Sequence, residues 1–151
     1  MRSNNKHLCL LAVAVCLTAC ANSEQRQAQE LLEQARFAQA HSRYGETLRL
    51  VDSLRRTCPK AIEERRAALK LHQEASLLQA QEEAEQLARQ LQAADAEYRQ
   101  MLKAVETGYL PEYQADDANR LTQLRLRRDS LRVRYDTQTA KMEYIRRRQK
   151  Q

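Results

Sequence analysis

Residues 77–105 read LLQAQEEAEQLARQLQAADAEYRQMLKAV. Leu77, Ala80, Ala84, Leu87, Leu91, Ala94, Tyr98, Met101 and Val105 follow one another at spacings of 3, 4, 3, 4, 3, 4, 3 and 4. Apolar residues at alternating threes and fours share one face of an α-helix, and four unbroken heptads of them make a coiled-coil seam. No Gly or Pro interrupts the chain from Lys60 to Thr107, so one long helix of about 47 residues is expected there. At ~1.5 Å per residue it would be ~70 Å long. Upstream the apolar positions shift to Ala68, Leu71, Ala75 and Leu78. Such a phase change, a stutter, locally unwinds a supercoil. It marks the place where this helix is expected to change partner.

Downstream, Gly108-Tyr109-Leu110-Pro111 ends the long helix, with Gly108 suited to its C-terminal cap and Pro111 preventing resumption. A last helix is expected over about Ala115–Gln149, with Asp116 and Asp117 as its N-cap and first-turn acid. Leu121, Leu124, Arg128, Leu131, Tyr135, Gln138, Met142 and Ile145 are spaced 3, 4, 3, 4, 3, 4 and 3. Arg128 and Gln138 are polar intrusions that lower stability but fix register and partner. Two seams of 29 and 25 residues joined by a short loop predict an antiparallel helical hairpin. The last helix would be ~50 Å long, ending ~20 Å short of the start of its partner.

The composition agrees. The 151 residues include only Gly45, Gly108, Pro59 and Pro111 as turn-formers, with no Trp and one Phe. An average chain would carry roughly four times as many Gly and Pro. That scarcity excludes the many tight turns of β-sandwiches and barrels, and it excludes phosphate-cradling glycine loops.

Between the N-terminus and the long helix, Ala28, Leu31, Leu32, Ala35 and Ala38 share a face of a helix over 24–40. After a turn at His41–Gly45, Leu48, Val51 and Leu54 share a face over 45–57, and Cys58-Pro59 breaks the chain. Ala35, Tyr44 and Pro59 resemble the small residue, turn-proximal aromatic and final proline of a tetratricopeptide repeat. Thr47 and Leu54 depart from it, standing where that repeat usually has Ala. No second copy follows, and a lone repeat cannot bury its own face, since about three are needed. A helical hairpin that leans on the next helix is therefore expected.

The first twenty residues are of another kind. Arg2 and Lys6 precede an apolar run of ten, Leu8 to Leu17, too short to span a bilayer, which takes ~20. Leu17-Thr18-Ala19-Cys20 then resembles the lipobox of bacterial lipoproteins. That family implies recognition of Leu17, Thr18 and Ala19 by the lipoprotein signal peptidase, cleavage before Cys20, and acylation of Cys20. The other reading of these residues is an ordinary secretory peptide with Cys20 a bystander. By analogy with known lipoproteins, Ala21 rather than Asp after the cysteine points to the periplasmic face of the outer membrane. Several acyl chains turn marginal membrane binding into stable anchoring. Cys9 and Cys16 would leave with the signal, and Cys58 would stand alone. It reads either as a small, half-buried hydrophobe or as the site of an intermolecular disulfide.

The formal charge is +6, unevenly spread. Residues 120–151 carry 11 basic and 3 acidic residues. Arg146, Arg147, Arg148 and Lys150 are the candidate patch for an anionic surface, where each adds ~1 kcal/mol. His41 and His72 have no Cys or His at i+3 or i+4, so no metal framework appears. Cys58 and His41 lack a third group or an oxyanion loop. No cofactor, metal, small-molecule substrate or nucleic acid is expected.

The sequence thus predicts an all-α protein: a short N-terminal helical hairpin followed by a long antiparallel coiled-coil hairpin. Its expected parts are a signal peptide over 1–19, a lipidated anchor and short linker over 20–23, a tetratricopeptide-like hairpin over 24–58, and the long hairpin with its basic tail over 59–151. The expected function is a membrane-anchored, non-enzymatic cell-envelope lipoprotein acting as a helical scaffold or interaction module. Its partners would be the bilayer, through acylated Cys20, and another protein or a second copy, through the helices. The alternative is a periplasmic holdase-type chaperone, similar in character to basic coiled-coil chaperones of that compartment.

Overall fold

The computed structural model describes residues 23–107 and 115–150. The segment 1–22, including Leu17-Thr18-Ala19-Cys20, and the expected turn at Gly108 and Pro111 lie outside the described residues. The protein is all-α. Four helices follow in order: α1 over 23–40, α2 at Tyr44–Thr57, α3 at Ile62–Glu106 and α4 at Ala115–Gln149. Contacts divide the chain into two compact units, the first ending at Ser76 and the second starting at Leu77, both positions within α3.

The first unit is built on small residues. Ala28, Ala35 and Ala38 of α1 and Ala68 and Ala75 of α3 are at most 1% exposed. Of these, Ala28, Ala35 and Ala68 form one cluster with Leu32, Val51, Leu54, Cys58, Ala61 and Leu71. Side-chain bonds run from Gln29 Nε2 to Glu64 Oε1 (3.4 Å) and from Gln39 Nε2 to Glu74 Oε2 (3.2 Å). Both join residues 35 apart, so α1 and the start of α3 lie side by side and run in the same direction. The Lys60 amide donates to Glu24 Oε1 (2.6 Å) at the same offset, within one residue, and holds the α2–α3 connection onto α1. The helix that follows thus supplies the surface that the N-terminal hairpin needs.

Thr47 shows how tightly α1 and α2 approach. It is fully buried, and its hydroxyl donates toward Ala35 O across the helix pair (3.4 Å) and to Arg43 O in its own turn (3.2 Å). A buried hydroxyl without a partner would cost ~1–3 kcal/mol, and here it has two acceptors.

The α1–α2 turn corrects the expected role of Gly45. Arg43 N donates to Ala38 O and Ser42 N to Gln39 O, both at 2.9 Å, the paired bonds of a Schellman ending. The left-handed residue at its hinge is Ser42, at φ 57°, where glycine is usual. Gly45 sits inside α2, exposed, with nothing within 4 Å of where a Cβ would stand. The turn closes three residues earlier than the glycine suggests, because the hydrogen bonds, not the glycine, set its hinge. Likewise α3 begins at Ile62 rather than Lys60: Pro59 and Lys60 form a turn in which Ile62 N donates to Lys60 O (2.9 Å).

In the second unit α3 and α4 run antiparallel. Gln138 meets Glu83 and Arg127 meets Glu97, so numbers rise along one helix as they fall along the other. The core centres on Leu87, Ala94 and Leu131, with Leu91 and Tyr135 packed against it. Every seam position from Leu77 to Val105, and from Leu121 to Ile145, is buried or half-buried. Asp116 and Asp117 both fall in the first turn of α4, not at its N-cap. There they favour the positive end of the helix dipole.

Two outcomes follow from the first unit. Ser42→Gly removes the left-handed penalty and Gly45→Ala removes unfolded-state freedom, so each raises stability by ~0.5–1 kcal/mol in urea unfolding. Cys58 is fully buried and free, so it should resist a thiol reagent in the native protein and react at once in denaturant. Prompt native labelling would contradict its burial.

Candidate functional site

The described residues offer helix faces rather than an enclosed cavity. A groove of about 210 Å³ between α3 and α4 is lined by Glu83, Gln86, Leu87, Gln90, Arg134, Thr137 and Gln138. It holds carboxylate, amide and cation, and its one hydroxyl, Thr137 Oγ1, donates to Val133 O (2.7 Å). No group of three His, Cys, Asp or Glu able to hold a metal occurs among the described residues. No described helix is long and apolar enough to cross a membrane.

The two histidines among the described residues have local work. His41 Nδ1 lies 2.8 Å from Phe37 O, and its ring centroid is 4.2 Å from that of Phe37. It caps the last turn of α1. His72 Nδ1 lies 3.5 Å from Ser76 Oγ, one turn along α3. Cys58 closes α2 through its amide, which donates to Leu54 O (3.0 Å), while its sulfur is 3.4 Å from Thr57 Oγ1. The structure does not bring Cys58 and His41 together through any hydrogen bond.

The two polar seam residues of α4 are both partnered across the hairpin. The Arg128 guanidinium lies over the Tyr98 ring, 4.3 Å from its centroid. Its Nε and Nη2 donate to Asp129 Oδ1 at 3.0 and 2.8 Å. The Asp129 hydrogen bond raises the Arg128 pKa, and the charges of Asp129, Tyr98 and Asp95 add to this against the desolvation that lowers it. Gln138 Nε2 donates to Glu83 Oε2 (2.7 Å), while its Oε1 is buried without a partner. A polar side chain that finds its partner at one position alone penalises every other register. Together Tyr98–Arg128 and Glu83–Gln138 lock α4 against α3 at two points.

Arg146, Arg147, Arg148 and Lys150 are all exposed at the end of α4. Arg147 reaches Glu143 at 3.7 Å. The three arginines stand in the last turn, where cations complement the helix dipole, which is a structural use for part of this charge.

The outer face of α4 is a surface that the reading of seams passes over. Leu126, Val133 and Tyr144 are 63%, 65% and 63% exposed, among the largest exposed apolar side chains described. The signal lies in the sequence as a heptad of basic, apolar, basic, then acid: RLRRDSL over 125–131 and RVRYDTQ over 132–138, with the looser TAKMEYI over 139–145. Arg127 is drawn to Glu97 of α3 at 3.0 Å. Arg134, Lys141 and Arg148 have no ion pair among the described residues.

Comparison with protein families, with curated proteins and with solved structures returns no match for the chain.

The Tyr98–Arg128 contact is measurable. In a double-mutant cycle with Tyr98→Leu and Arg128→Leu, urea unfolding should give a coupling of ~0.5–1 kcal/mol. A coupling near zero would mean that the stacking adds nothing beyond packing.

Proposed function

We propose that the chain is a membrane-anchored, non-enzymatic lipoprotein of the bacterial cell envelope that serves as a helical scaffold or interaction module. One observation carries this reading: a basic start, a ten-residue apolar run and Leu17-Thr18-Ala19-Cys20 stand in order over twenty residues. Acylated Cys20 holds the protein to the bilayer, and the absence of Asp after the cysteine favours the periplasmic face of the outer membrane.

The helices support the second half of the reading. Seam positions of α3 and α4 are spent on the hairpin, while the outer face of α4 keeps large apolar side chains and unpaired cations in solvent. Surfaces of that kind mark interaction sites. Among the described residues the thiol of Cys58 is buried, His41 caps the end of α1 and His72 lies against Ser76 within α3, which suits a structural role.

The anchor is tested in cells fed a fatty-acid analogue. The wild-type chain should take up label and fractionate with outer membrane. Cys20→Ala should lose label and migrate as a larger, unprocessed species. A Cys20→Ala chain that stays membrane-bound and unshifted in size removes the anchoring half of the proposal.

A further inference from the structure

The outer face of α4 carries a second heptad, distinct from the one buried against α3. Leu126, Ser130, Val133, Thr137, Ala140 and Tyr144 are spaced 4, 3, 4, 3 and 4, and all six are exposed. This is the a/d spacing of a coiled coil, with Ser130, Thr137 and Tyr144 at a and Leu126, Val133 and Ala140 at d. The flanks are sorted by sign. The g positions, each preceding an a residue, are Asp129, Asp136 and Glu143. The e positions, each following a d residue, are Arg127, Arg134 and Lys141, and Arg148 continues the row one heptad on.

In a parallel coiled coil each g residue faces the e residue of the following heptad on the partner. Two copies of α4 in parallel register would therefore set Asp129 against Arg134, Asp136 against Lys141 and Glu143 against Arg148, twice over by symmetry. The one e residue left out is Arg127, whose facing g position is Thr122. Arg127 is also the e residue that is paired within the hairpin, to Glu97. Antiparallel pairing would place acid against acid and base against base. An anionic lipid surface fits less well, because the acidic row borders the apolar stripe.

We propose that the outer face of α4 is a self-association surface, complementary to a second copy of this chain in parallel, in-register orientation. The inference rests on the interaction-module reading and names its partner; it does not depend on the anchor. The hydroxyls at a make a weak core, so the charged flanks decide both affinity and orientation, and the association weakens with salt.

Sedimentation of the full chain in a neutral detergent tests this. The wild type should dimerise. A chain with Lys141→Glu and Arg148→Glu carries acid on both flanks of its last heptads and should lose about tenfold or more in affinity. A chain with Asp136→Lys and Glu143→Lys carries base on both and should lose as much. Mixing the two should restore a dimer of one copy of each. Asp136, Lys141, Glu143 and Arg148 are all exposed and none touches the Tyr98–Arg128 or Glu83–Gln138 contacts, and circular dichroism checks that helicity persists. A wild type that stays monomeric overturns the proposal; uptake of added anionic phospholipid by that monomer would assign the face to a lipid surface. A dimer indifferent to either reversal overturns it too. Neither result touches the Cys20 labelling, which reports on the anchor alone.

Discussion

Helix backbones meet in this protein mostly across alanine. Nine of the seventeen buried apolar residues described are alanines, from Ala28 to Ala94. An alanine contact lets two helices approach until one side chain nearly touches the other backbone, as Thr47 does at Ala35 O. The architecture depends on that closeness. With few large side chains to fill space, a gap between helices would leave dispersion contacts unmade on both sides. The larger apolar residues (Leu32, Val51, Leu54, Leu71, Leu87 and Leu131) fill the rest of the two cores, with Val51 and Leu54 fully buried.

Continuity of α3 follows from the same economy. A two-helix unit with small residues buries too little to stand alone. The first unit borrows Ala68, Leu71 and Ala75 from α3, and the second uses Ala80, Ala84, Leu87 and Ala94 farther along the same helix. The 45 residues of α3 carry no Gly or Pro that would divide these two uses. Polar side chains supply what the thin cores lack in specificity. Gln29–Glu64 and Gln39–Glu74 fix the offset of α1, and Glu83–Gln138 and Tyr98–Arg128 fix that of α4.

The helices were legible because their signals are redundant. The seams of α3 and α4 repeat for many turns, so a misread residue would not move them, and the four turn-formers leave few places to reverse. The phase change near Ala75 was legible for the same reason, and it falls where the first compact unit ends. What the sequence hides is local chemistry with a single instance. Ser42 carries a positive φ that any reader would assign to Gly45, because the hydrogen bonds from Ser42 and Arg43 back to α1 are set by three-dimensional closure. The partners of Arg128 and Gln138 required a register that the seam alone leaves free to slide by a heptad. The outer face of α4 was visible in principle, but one heptad read as a seam draws the eye from a second that shares the helix.

An alanine core also has a thermal consequence. Heat capacity of unfolding grows with apolar area exposed, and an alanine contributes far less of it than a leucine at the same buried position. A fold held by many small contacts therefore has a flat stability curve. For helices whose cores are this thin, cooling weakens the fold less than it would a leucine-packed bundle of equal midpoint and unfolding enthalpy, because less of the stability curve bends over at low temperature.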